Sequence, residues 1–256
     1  MKTILCTKKD IYQGDLILVN RHHPIHPHAS FEKELVPVDG ERQPGILLNI
    51  RARAQLVRLF DALRCDQQIV AVSGYRTLQE QQSIFENSLR ENGTAFTHQY
   101  VALPNCSEHQ TGLAIDLGEN KPEIDFIRPD FPYSGICQAF RERAAAYGFI
   151  ERYPEGKEAI TGISWEPWHF RYVGYPHAVI MHERGLTLEE YTEYVKEFPQ
   201  SGPHLFVETQ KGMAEISFVH LADCPSATVR IPEASSWELS GNNVDGVVVT
   251  VWHPTP

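Results

Sequence analysis

Apolar positions recur at helical spacing over residues 46 to 64, where Leu56, Val57, Phe60 and Leu63 predict one buried stripe. The run Ile69-Val70-Ala71-Val72 then predicts a short buried strand ending in Ser73-Gly74-Tyr75-Arg76. Thr77-Leu78-Gln79-Glu80 has the form of a capping box, so a helix is expected from there to about Asn92-Gly93, with Leu78, Phe85 and Leu89 turned inward. Period-2 alternation over 112 to 118 predicts a strand. A proline-punctuated loop at 121 to 133 precedes a helix over Ser134 to Tyr147, stopped by Gly148. Trp168 to Val173 alternates as a further strand, and Thr187-Leu188-Glu189-Glu190 opens a helix through about Phe198.

From Ser201 the texture changes. The segments 204–207, 214–221, 227–231 and 247–252 are strand-like, with Gly, Asn and Pro between them. The fold expected is α+β: an antiparallel sheet with flanking helices, forming a cleft over residues 1–200, and a small β-rich C-terminal appendage over 201–256.

In the strand at 112–118, Gly112, Ala114 and Asp116 share one face, and Leu113, Ile115 and Leu117 the other. The small face predicts open space before a carboxylate, where an ion or substrate approaches. His109 stands just before it. Glu166-Pro167-Trp168-His169 adds a second carboxylate and a second imidazole. Two histidines and an aspartate leave a fourth position open, the pattern of a catalytic zinc. Glu166 would then be the general base for the attacking water. Arg76, at the end of a buried strand, is placed to stabilise a developing oxyanion. The same residues also fit hydrogen-bonding histidines and a surface guanidinium, and spacing alone does not choose between these readings.

Composition narrows the partners. Net charge is −10 with no basic cluster, which disfavours nucleic acid and anionic membrane surfaces. No window approaches the roughly 18 apolar residues of a membrane span. Ile4-Leu5-Cys6 is too short for a secretory leader. Five scattered cysteines without a CxxC argue against a disulfide framework, and a cytoplasmic location is expected. The four histidines of the Pro-rich 20–30 segment, His22, His23, His26 and His28, are read as part of a solvated loop.

Three stretches, SGYRT at 73–77, SEHQTGLAIDLG at 107–118 and EPWHFRYVG at 166–174, resemble the signatures of the VanY-type zinc D,D-carboxypeptidases and their VanX-type dipeptidase relatives. In that family the pattern is SxHxxGxAxD followed by ExxH. Ser107, His109, Gly112, Ala114 and Asp116 match the first part, and Glu166 and His169 the second. The resemblance covers roughly residues 65 to 200. It implies that His109, Asp116 and His169 bind Zn2+, that Glu166 is the base and that Arg76 steadies the scissile carbonyl. It also implies that Ser107 and Gln81 hold the terminal D-alanine carboxylate. Without a leader, the chain looks most like the cytoplasmic bifunctional VanXY members, which act on D-Ala-D-Ala and on D-Ala-ending pentapeptide precursors in vancomycin-resistant bacteria. The alternatives are a cell-wall-trimming D,D-carboxypeptidase on longer stem peptides and a non-catalytic zinc-dependent binding module.

Overall fold

The computed structural model describes residues 1–209, 212–233 and 235–254. The chain divides into two compact units, one of Val19–Pro24 and Ser30–Thr187, the other of Met1–Leu18, Ile25–Ala29 and Leu188–Pro256. The architecture is α+β with antiparallel sheets, as the sequence pattern predicts.

The chain opens with β1 (Lys2–Thr7) and reaches a hairpin of β2 (Leu35–Asp39) and β3 (Gln43–Asn49). The helix expected from residue 46 starts only at Ile50, because 46–49 complete β3. Asn49 then caps α1 (Ile50–Leu63), its side chain accepting the Arg51 N–H. Ala52, Leu56 and Leu59, one helical turn apart, form the buried stripe. β4 (Ile69–Ser73) follows, and α2 (Leu78–Tyr100) begins at the expected capping box of Thr77 and Glu80. Gly93, at φ 80°, breaks α2 where the sequence predicts an end, but the chain resumes as helix to Tyr100. Leu78 is not inward; it is 50% exposed, since the first turn leaves that face to solvent.

β5 (Ala114–Glu119), α3 (Gly135–Ala144), β6 (Phe149–Tyr153), α4 (Glu158–Thr161), β7 (Glu166–Tyr172) and α5 (His177–Arg184) complete this unit. The strands form an antiparallel sheet of order β4-β5-β7-β6. Phe131, Phe140 and Phe170 meet edge to face at 5.0–5.7 Å and anchor α3 on β7. The sheet is irregular where it matters. Tyr153 pairs with Glu166 and Glu151 with Phe170, so residues 167–169 of β7 bulge opposite Arg152.

In the other unit, β1 pairs antiparallel with β10 (Ser226–Ile231). After α6 (Leu188–Tyr194), β8 (Leu205–Thr209), β9 (Gly212–His220), β11 (Ser236–Gly241) and β12 (Gly246–Pro254) form a sheet of order β11-β12-β9-β8. Val219, Leu221, Val229, Ile231, Val247 and Val249 are its core. This unit therefore differs from the appendage expected over 201–256: it begins at Leu188 and takes in the N-terminal strand, because β1 supplies the partner of β10.

Candidate active site

Strand register assembles the site. Asp116 on β5 stands opposite Ser73 on β4 and opposite His169 on β7. Directly opposed residues share a face of the sheet, so the aspartate and the imidazole meet, with His169 Nδ1 at 2.8 Å from Asp116 Oδ1. His109 comes from the 3-10 turn Glu108–Thr111 just before β5. Its Nδ1 lies 2.7 Å from the Gly74 carbonyl, which fixes a proton there and leaves the Nε2 lone pair facing Asp116 Oδ2 at 3.1 Å. One ligand atom from each of the three residues lies within 4.8 Å of the other two, and all three residues are buried. Two imidazole nitrogens and a carboxylate converging in this way fit a zinc ion with an open position. The four histidines of the 20–30 loop join no such cluster among the described residues. Cys106, three residues from His109 in sequence, also stays outside it.

Glu166 is three residues from His169, a spacing that in a regular strand puts two side chains on opposite faces. The bulge at 167–169 undoes that alternation and brings Glu166 Oε2 to 4.0 Å from His169 Nδ1. Burial pushes the Glu166 carboxyl up to about 8, with Asp116 and Glu108 adding to the rise and His169 and Arg76 opposing it. Burial alone would lower His169, but its contacts with Asp116, Glu108 and Glu166 push it up to about 9. Burial also favours neutral His109, while Asp116, despite burial, is held well below the usual carboxylate range by the two histidines.

Arg76 donates through Nε to Ser73 Oγ at 2.8 Å, through Nη2 to Asp116 Oδ2 at 2.9 Å and through Nη1 to Gln81 Oε1 at 3.4 Å. Its charge is thus directed into the cleft by three neighbours. Gln81 is buried, and its amide also donates to the Ala102 carbonyl at 2.8 Å. Its polar ends are engaged with Arg76 and with the loop after α2. Ser107 is buried as well, and Arg76, Gln81, Ser107, His109, Asp116, Glu166 and His169 all line one cleft.

The expected open space before Asp116 has a different explanation. Neither Gly112 nor Ala114 lines the cleft. Gly112 takes φ +69°, and a Cβ there would stand 2.5 Å from Leu35 Cδ2 and 3.1 Å from the Asn49 nitrogen, so it serves a left-handed turn packed against β2 and β3. Ala114 stands opposite Arg171, sharing a sheet face with it. The small side chain leaves room for a buried guanidinium beneath the site.

Sequence reasoning missed what lies there. Glu108, between Ser107 and His109, has no side-chain exposure, and its Oε1 accepts from Arg152 Nε at 2.7 Å and Arg171 Nη1 at 2.9 Å. An isolated Glu beside a motif histidine and two arginines in strands carry no periodic signal that marks them as buried together.

Comparison with known proteins identifies the family. Residues 45–175 match the VanY family, described as D-alanyl-D-alanine carboxypeptidase. The chain is 46% identical over 186 residues to the bifunctional D-Ala-D-Ala dipeptidase and D-Ala-D-Ala carboxypeptidase VanXYC of Enterococcus gallinarum, spanning 70% of this chain and 94% of that one. It is 34% identical over 263 residues to a D-alanyl-D-alanine carboxypeptidase of Enterococcus faecium, spanning 98% of this chain and 78% of the relative. Among solved structures, the vancomycin resistance D,D-dipeptidase VanXYg in complex with a D-Ala-D-Ala phosphinate analog superposes with a TM-score of 0.94 at 50% identity, covering 98% and 99% of the two chains. A point mutant of the D,D-pentapeptidase VanY from the VanB-type resistance cassette, in complex with Zn(II), superposes at 0.57 with 35% identity, over 70% of this chain and 98% of the other. The extent of the family match and the identity to full-length relatives place this chain in the VanY family of D-alanyl-D-alanine carboxypeptidases.

Proposed function

We propose that this chain is a zinc D,D-peptidase that hydrolyses the D-Ala-D-Ala dipeptide and removes the terminal D-alanine of peptidoglycan pentapeptide precursors. The observation that carries the reading is the convergence of His109, Asp116 and His169 ligand atoms within 4.8 Å, with the Glu166 carboxylate beside them. His109 Nε2, an Asp116 oxygen and His169 Nδ1 would hold the zinc. When bound, the ion supplies a Lewis acid that polarises the scissile carbonyl and favours deprotonation of the attacking water.

The chain's own residues do the rest. Glu166 has its proton affinity raised by burial, which suits it to accept a proton in the cleft. It takes the proton of the attacking water and delivers it to the leaving amine of D-alanine, one group serving as base and then acid. Arg76 donates to the carbonyl oxygen as negative charge develops there. Ser107 and Gln81 receive the substrate carboxylate, Gln81 through the amide hydrogen not given to Ala102, while its carbonyl oxygen holds Arg76 in place.

A base at Glu166 is not required of a zinc-dependent binding module, which favours turnover. The extent of likeness to VanXYg and VanXYC favours action on dipeptide and pentapeptide over trimming of longer stems. Removing D-Ala-ending species leaves D-Ala-D-Ser-ending precursors dominant, which is the contribution to vancomycin resistance. Five unpaired cysteines support a reducing, cytoplasmic setting. No helix among the described residues is long and apolar enough to cross a membrane. The test is D-alanine release by the zinc-loaded protein from D-Ala-D-Ala, from a D-Ala-ending pentapeptide precursor and from D-Ala-D-Ser. Release from the first two, and little from the third, is expected. Inactivity on every D-Ala-ending peptide overturns the proposal.

A further inference from the structure

Glu108 lies behind the metal ligands; it does not line the cleft, and its side chain has no solvent exposure. Its two carboxylate oxygens have separate tasks. Oε1 is taken by Arg152 and Arg171, both without side-chain exposure. Oε2 lies 3.5 Å from His169 Nε2, and neither of these two buried atoms has a hydrogen-bond partner among the described residues. His169 Nδ1, on the far side of the same ring, is the nitrogen that faces Asp116 and the ligand cluster.

We infer that Glu108 is a positioning residue: its Oε2 accepts the Nε2 proton of His169, so that Nδ1 is the nitrogen offered to the metal. An imidazole presents a lone pair on one nitrogen only when its proton is kept on the other. Partners of this kind fix the tautomer and ring orientation of a metal-binding histidine. The two arginines fix which way the carboxylate faces, since they claim one oxygen and leave the other for the ring. Glu108 also sits in the turn that carries His109, so one turn supplies a ligand and braces a second. The inference rests on the metal site proposed above.

Glu108→Gln makes it testable. The glutamine carbonyl oxygen stays with the two guanidiniums, because only an acceptor satisfies them. Its NH2 then points at His169 Nε2, which must accept, and the ring proton moves to Nδ1, where it blocks the metal. Zinc affinity, read by chelator competition, should fall roughly 10- to 100-fold. Nitrogen-15 NMR of the imidazoles, at the same saturating zinc concentration, should show the Nε2–H form of His169 in the parent and its loss in the variant. A purely structural Glu108 would lower the melting temperature but leave affinity and tautomer unchanged, and that result overturns the inference. Should Glu108→Gln fail to fold, the parent decides: a zinc-loaded protein whose His169 carries no Nε2 proton overturns it, and one that carries a slowly exchanging Nε2 proton supports it. A parent that binds no zinc at all would instead remove the proposed function on which the inference stands.

Discussion

Arg76 donates to Asp116 Oδ2 at 2.9 Å, so the cation assigned to the scissile carbonyl is anchored on a proposed metal ligand. Its position is set by a fork reaching Ser73, Gln81 and Asp116 at once. Arg76→Ala should lower kcat by about 10²–10³, the weight of one oxyanion donor, with a smaller change in KM. Arg76→Lys should recover little, because a single ammonium cannot reproduce the fork. Steady-state kinetics on D-Ala-D-Ala checks this. A rise in KM alone would make Arg76 a clamp for the substrate carboxylate and would move Ser107 and Gln81 to other roles.

Glu166→Gln preserves size and hydrogen bonding but cannot shuttle a proton. Zinc content and fold should be retained while turnover falls roughly 10²–10⁴-fold. Metal analysis and circular dichroism alongside the rate separate chemistry from folding. Near-normal hydrolysis by this variant is incompatible with the proposed role.

One zinc should bind per chain, and its removal by a chelator should abolish activity reversibly. Because the ligands include two imidazoles, affinity should weaken as the histidines protonate. Cys106→Ser should leave zinc content unchanged, since Cys106 lies outside the ligand cluster. Loss of metal in that variant, by elemental analysis, would reassign a ligand.

Gly112→Ala tests the fold beneath the site. The left-handed backbone costs an L-residue roughly 1–2 kcal/mol, and the added Cβ must also displace Leu35. The denaturant midpoint should drop accordingly. An unchanged midpoint would show that the turn relaxes freely.

His177 is buried, and burial lowers its pKa from 6.5 to about 3. Between those values the unfolded chain binds a proton that the folded chain refuses. Stability therefore falls as pH drops through 6.5 toward 3, with a slope contribution of about 1.4 kcal/mol per pH unit. His177→Met should remove that contribution. Unfolding of the two zinc-loaded proteins between pH 6.5 and 4.5 isolates it as the difference in slope, and parallel curves would show that His177 does not titrate this way.

The convergence of His109, Asp116 and His169 was legible in the chain because these residue types, with Glu166, stand in short, specific stretches. The capping box at Thr77 and the stop at Gly148 were legible because local hydrogen bonding and backbone sterics act within a few residues. Tertiary structure decided the rest. The β7 bulge brings Glu166 to the face of His169 against strand alternation, and it exists only through pairing with β6. Residues 46–49 carry helical spacing yet form a strand, because a partner at 35–39 satisfies their backbone. Gly112 and Ala114 are small for a turn and for Arg171, not for a substrate. Nothing in the sequence marks Arg152 and Arg171 as buried. Inside, both donate to the Glu108 carboxylate, contributed by a turn more than forty residues earlier, and only the folded chain brings those three charges together.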